Sequence, residues 1–151
     1  MIGREDKKAN DLFYTCSLIE YIGRETKNTR GFVVDALGYV GVRKIYELAE
    51  VYHSDNIQRV AEDFIQEADI PTGNFDNVSV ARYSIPSHWD MGKVYKRFIL
   101  GIANEEKISP LDALPIAYHS FVSDLIQDYN SSFYYEAPQN ILNAYLYNEV
   151  E

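Results

Sequence analysis

Between Val42 and Tyr52 the apolar residues Val42, Ile45, Leu48, Ala49 and Tyr52 return at intervals of three and four, with Arg43, Lys44, Glu47 and Glu50 between them. Such spacing sets one stripe of a helix into a core and leaves the opposite face to water. The same rhythm recurs along almost the whole chain, and no other feature restricts the fold as strongly. A helix over about residues 6–23 carries Leu12, Cys16 and Ile19 on one stripe. A short helix over 32–37 stops at Gly38, a natural terminator. Asp55 and Gln58 fit a capping box ahead of Ile57, Val60, Ala61, Phe64 and Ala68, and that helix ends near Asp69, before Pro71 and Gly73. A third long helix spans about 89–103. Ser109, Pro110 and Asp112 start another, in which Pro115 kinks or separates the first turn. A last short one begins at Pro138.

The fold expected is therefore all-α. It is a single domain over 1–151, a bundle of about five to seven helices with one extended or loop excursion at 70–87. Within the excursion "NVSVARYSI" alternates as a short edge strand would. Irregular segments of this length in compact domains often carry function. The plainer reading is a surface crossover pinned by Phe75, Tyr83 and Ile85.

Charge narrows the range of partners. The net charge is −9, and residues 1–50 are neutral, so residues 51–151 carry all of it. Binding to nucleic acid rests on neutralising phosphates, which this distribution opposes. A basic protein partner suits it better. The N-terminus is charged from Arg4 onward, so no secretory signal is read there. No apolar run approaches the ~20 residues that span a bilayer, and the cytoplasm is the expected location. Cys16 is the only cysteine, which excludes an intrachain disulfide and points to a small buried apolar side chain.

Chemistry is sparse. In "SIPSHWDMGKVYKR" the only tryptophan lies between His88 and Asp90. Ser87 is a favoured N-cap and Asp90 stands where a carboxylate closes a capping box, with Trp89 free to pack over Ile85. A helix start accounts for the cluster without catalysis. As an alternative, Tyr83, His88, Trp89 and Asp90 would line an enzyme or small-ligand site beside the excursion. His53 sits at a helix junction. His119 and Asp124 are five apart, off the common face that paired metal ligands need. No metal ligands, cofactor or catalytic residues are assigned, and the chain reads as a binding protein rather than an enzyme. A second alternative is a helix-turn-helix at 29–52 with Arg43 and Lys44 facing phosphate, although Glu47 and Glu50 share that face.

Tyrosine is the surplus, with thirteen in the chain and five in "QDYNSSFYYEAPQNILNAYLYNEVE". Rigid amphipathic rings among adaptable polar groups are what binding surfaces use. Tyr129, Phe133, Tyr134, Tyr135, Tyr145 and Tyr147 are the candidate contacts for a protein partner or a second copy. Closing the end of the helical core is their other reading.

Residues 16–57, "CSLIEYIGRETKNTRGFVVDALGYVGVRKIYELAEVYHSDNI", follow an order of features: an apolar helix, a polar break, a "V..L" helix ending in Gly, then an Ile- and Tyr-rich helix finishing near a His. This resembles a family of short uncharacterised bacterial proteins, often encoded beside a larger partner resembling an ADP-ribosyltransferase. The resemblance covers less than a third of the chain. It implies a toxin–antitoxin-like role, with the small acidic protein binding its partner, and it assigns no functional residues.

Overall fold

Eight α-helices and two 3-10 turns form among the described residues, and no strand. The computed structural model describes the backbone of residues 2–148 and the side chains of residues 7–148. In chain order the helices are α1 (Ile2–Thr26), α2 (Arg30–Glu47), α3 (Ala49–Tyr52) and α4 (Ile57–Glu67), then α5 (His88–Glu106), α6 (Pro110–His119), α7 (Phe121–Gln127) and α8 (Pro138–Tyr147). The 3-10 turns are Tyr129–Ser131 and Phe133–Tyr135. The all-α expectation holds.

Helices α1 and α5 form the axis of the bundle, packed along each other more extensively than any other pair. Leu12, Cys16 and Ile19 of α1 and Met91, Tyr95 and Ile99 of α5 are all fully buried. Their close approach depends on Gly92. A Cβ placed there would lie 1.9 Å from Ser17 Oγ and 2.9 Å from the Ser17 backbone nitrogen. Helix α2 lies on α1, α6 bridges α5 and α2, α4 covers α1, and α8 closes against α5 and α7. Cys16 is fully buried, and burial pushes its thiol up to about 12, so it packs as an apolar group.

Several boundaries differ from those the sequence predicts, each for a local reason. Gly38 interrupts the helix where the sequence places a stop, at φ 71° and ψ 171°, a conformation open to glycine alone, but a second helical piece resumes at once, so the two run together as α2. The helix expected over 42–52 parts at Leu48, leaving α3 as a separate turn. Asn56, not Asp55, caps α4, its side chain accepting from Gln58 N at 2.8 Å. Pro115 stays inside α6, and the break falls at Ser120, which turns extended and recaps α7 by accepting from Ser123 N. With the 32–37 piece and the start of the 42–52 helix joined in α2, the added breaks at Leu48 and Ser120 bring the count to eight.

The excursion is non-helical as expected, but the edge strand does not form. Its backbone bonds go to the end of α1, to the loop that follows it and to the first 3-10 turn. Gly73 N donates to Thr26 O at 2.7 Å and Phe75 N to Lys27 O at 2.8 Å. Asn28 Nδ2 reaches Pro71 O at 2.8 Å. Asn130 then holds the far part, donating to Val80 O and accepting from Arg82 N. A segment tied at so many points is a fixed part of the surface.

Candidate functional site

Glu20 lies on the buried side of α1, where a carboxylate survives only if its charge is answered. Two arginines answer it. Arg30, fully buried at the start of α2, donates through Nε to Glu20 Oε1 at 3.0 Å and through Nη2 to Oε2 at 2.9 Å. Arg24, one turn along α1, donates to Oε2 at 3.2 Å. The Tyr129 hydroxyl donates to the same oxygen. Arg30 also donates to Asn28 O at 2.8 Å and to Asn77 Oδ1 at 3.2 Å, while Asn77 Nδ2 donates to Gln127 O at 2.9 Å. Gln127 Oε1 completes the set by accepting from Arg30 N at 2.8 Å. The network fastens α1, α2, the excursion and the end of α7 to one carboxylate.

Burial alone would raise the Glu20 carboxyl, but the Arg30 guanidinium, by charge and by hydrogen bonds, overrides it and brings the group down to about 2. In the unfolded chain the ordinary value is 4.5. The contribution is present in full above that value and is lost as pH falls from about 4.5 toward 2. The gap corresponds to about 3 kcal/mol. Denaturant titrations at stepped pH are therefore expected to show an acid-side loss of that order that is absent from Glu20→Gln. An identical acid slope in both proteins would remove Glu20 as its source.

The network positions a surface. Arg24 Nη2 donates to Pro86 O, which fixes the end of the excursion. Tyr129 packs edge-on against Tyr134, with ring centroids 6.1 Å apart, and Tyr134 lies 5.3 Å from Tyr135. Between these two walls lies a groove of about 460 Å³. Its floor is the buried Phe98, Ile141 and Pro86, and Val94 and Tyr134 line its sides. Asp90, Arg97, Tyr135 and Glu136 stand exposed around the rim. Tyr135 is 82% exposed. Asp90 Oδ2 accepts from Ser87 N at 3.1 Å and Ser87 Oγ accepts from Asp90 N at 3.0 Å, so the expected capping box is in place. No described carboxylate lies within ion-pair distance of Arg97.

No protein-family model, curated protein or solved structure matches this chain.

The residues singled out from sequence divide between this groove and other duties. Tyr134 and Tyr135 line it, and so does Asp90 from the alternative cluster. Tyr129 is a correction: at 3% exposure it is an interior ligand of Glu20, not a contact surface. Phe133 packs partly against the core. Tyr145 stacks edge-on with Phe98 and donates to Glu106 at 2.8 Å, leaving it half-buried. Tyr147 is exposed but outside the groove. Tyr83 is likewise exposed and lines no part of the groove. His88 and Trp89 face the other way, toward α1. Trp89 has Phe13, Tyr14, His53 and His88 as ring neighbours, rather than resting on Ile85, which lines the groove instead. The alternative pocket of Tyr83, His88, Trp89 and Asp90 is thus not assembled.

Two histidines converge on Trp89 from separate parts of the chain, at 6.3 Å for His53 and 4.7 Å for His88. Burial, with Arg24 next, lowers the His88 value. Its Nε2 is buried with no partner among the described residues. A neutral ring in an aromatic cluster is the consequence. His119 meets Asp35 of α2, not Asp124, with Nε2 and Oδ1 2.9 Å apart. Among the described residues no three His, Cys, Asp or Glu side chains gather as metal ligands would, and no helix is long and apolar enough to cross a membrane. In the 29–52 segment Arg43 pairs with Glu47 at 3.1 Å and Lys44 with Glu67 at 3.5 Å. Both cations of the segment expected to face phosphate thus have an acidic side chain beside them.

Proposed function

We propose that this chain is a non-enzymatic interaction module that docks a partner protein in the groove between α5, residues 84–86 and residues 134–141. One observation carries the reading: Tyr135, a large ring at 82% exposure, stands over a floor of buried Phe98 and Ile141. A rigid aromatic beside an apolar floor is the arrangement that concentrates binding energy at interfaces. The surplus of negative charge in residues 51–151 adds a preference for a basic partner. The resemblance of residues 16–57 to small proteins encoded beside ADP-ribosyltransferase-like partners supports an antitoxin, immunity or regulatory role. The buried carboxylate and guanidinium groups are spent on one another, which argues for scaffolding rather than chemistry.

A photo-crosslinking residue at position 135 is expected to trap one protein in host cells, while the same residue at position 147, exposed but outside the groove, does not. The trapped protein, purified, should bind the chain about tenfold more weakly after Tyr135→Ala, with the thermal transition unchanged. Equal trapping from both positions, or binding indifferent to Tyr135→Ala, would overturn the proposal. Crosslinks only between copies of this chain would replace it with a homodimer.

A further inference from the structure

From the shape and charge of the groove we infer that its occupant is an extended, proline-containing segment of the partner, with an arginine or lysine at the end that lies over Asp90. This rests on the reading of the groove as a docking site and specifies what enters it.

Size separates the ways a peptide can be held. A helix is about 10 Å across and rises about 5.4 Å per turn, so some 400 Å³ accommodates roughly one turn of it. The groove holds about 460 Å³. Helix-in-groove docking lays one face down and presses apolar anchors spread over two turns, about 10 Å, into the groove, and over that length along α5 the two ends here are the charged Asp90 and Arg97. Strand addition needs a free sheet edge, and the described residues form no strand. An extended polyproline segment covers about 3.1 Å per residue, so roughly three or four residues cross the distance between those two charges. It has no internal hydrogen bonds and arrives with most of its conformational freedom already lost. Recognition then falls to rings and apolar shelves rather than backbone edges. Tyr134 and Tyr135, with centroids 5.3 Å apart and planes tilted by 47°, supply adjoining ring faces. The exposed Pro138 supplies a shelf beside them.

Charge gives the segment a direction. Asp90 and Arg97 lie seven residues apart on α5, about 10 Å along its axis. The Asp90 carboxylate accepts from Ser87 N, and no described cation lies within ion-pair distance of it. Among the described residues Glu136 is engaged only by the neutral amide of Asn140, at 3.2 Å. The rim thus carries two negative groups against one positive one, and its cation stands at the end of the groove away from Asp90. A basic residue is favoured at the Asp90 end and repelled at the other.

The test uses the intact chain and synthetic peptides of roughly ten residues. One has a proline-rich core with arginine at one end, a second has glutamate in place of arginine, and a third has glycine in place of every proline. The first is expected to bind with a Kd of about 10–100 µM. The glutamate and glycine peptides should each bind at least about tenfold more weakly. Tyr135→Ala should weaken the first peptide about tenfold. Glu136→Gln should weaken it less and flatten its dependence on salt. Circular dichroism and melting of both variants should match the parent protein. Failure of the arginine peptide to bind at about 1 mM, or equal binding of the glycine peptide, overturns the inference. So does indifference to Tyr135→Ala. If a partner crosslinked at position 135 docks through a folded face while the peptides fail, the proline proposal falls and the docking groove stands. If neither crosslinks nor peptides engage position 135, both fall.

Discussion

Glu20→Ala is expected to cost the fold about 3–5 kcal/mol in denaturant titration, because it leaves buried guanidinium groups without an anion. Arg30 is fully enclosed, so water cannot take the place of the carboxylate. The Tyr129 hydroxyl loses its acceptor at the same time. The loss belongs to the unpaired charge more than to the pair, and a second variant separates the two. Glu20→Leu combined with Arg30→Met removes both charges and should recover a large part of the stability lost by either single change. Recovery will be incomplete, since Asn77 Oδ1 and Asn28 O lose the donors they had in Arg30. A single-variant loss below about 1 kcal/mol would mean that the network is ordinary surface electrostatics, and the positioning role given to it would fail.

Gly92→Ala should be nearly as damaging, by about 3 kcal/mol at the upper end of overpacking costs. The added methyl group meets Ser17 Oγ at 1.9 Å and the Ser17 backbone nitrogen at 2.9 Å. The hydroxyl can rotate away, but Ser17 N belongs to α1 and moves only with the helix. Relief therefore means separating α1 from α5, the most extensive packing in the molecule. Alanine is ordinarily the better helix former by up to about 1 kcal/mol, so a gain would be expected if the site were open. Thermal melts of Gly92→Ala against Gly101→Ala make the comparison. At Gly101 the nearest atoms are the flexible end of Leu142, at 3.0 Å. Equal melting of the two variants would contradict the account.

The helices were legible because their signals are local. The Ser87–Asp90 box and the Ser109 cap with Pro110 both stand as their spacing implies. The interruptions at Leu48 and Ser120 were not. Ser120 satisfies Ser123 N from an extended conformation, an option a continuous apolar stripe conceals. Asn56 outcompeted Asp55 for the α4 cap by a difference of one residue, finer than spacing alone resolves. The groove was half legible. Tyr134, Tyr135 and Asp90 were candidates in two separate clusters, but nothing local says that residue 90 and residue 135 meet. The buried network was overlooked, although Glu20 interrupts an otherwise apolar run in "CSLIEYIG". A charge on the inner face of a helix is the signal that its partners lie elsewhere in the chain. Tyr129 looked like a surface ring because its role is defined only by that distant carboxylate.

The outline of the groove is inherited from the interior. Pro86 is held through Arg24, Tyr134 rests on Tyr129, and both routes end on the same oxygen of Glu20, Oε2. Drift at Asn28, Asn77 or Gln127, none of which lines the groove, would still reach its lip through the Arg30 guanidinium. A genetic screen for altered recognition would then return enclosed positions as readily as outward-facing ones, and a map of tolerated changes would not split this chain into one half that folds and another that recognises.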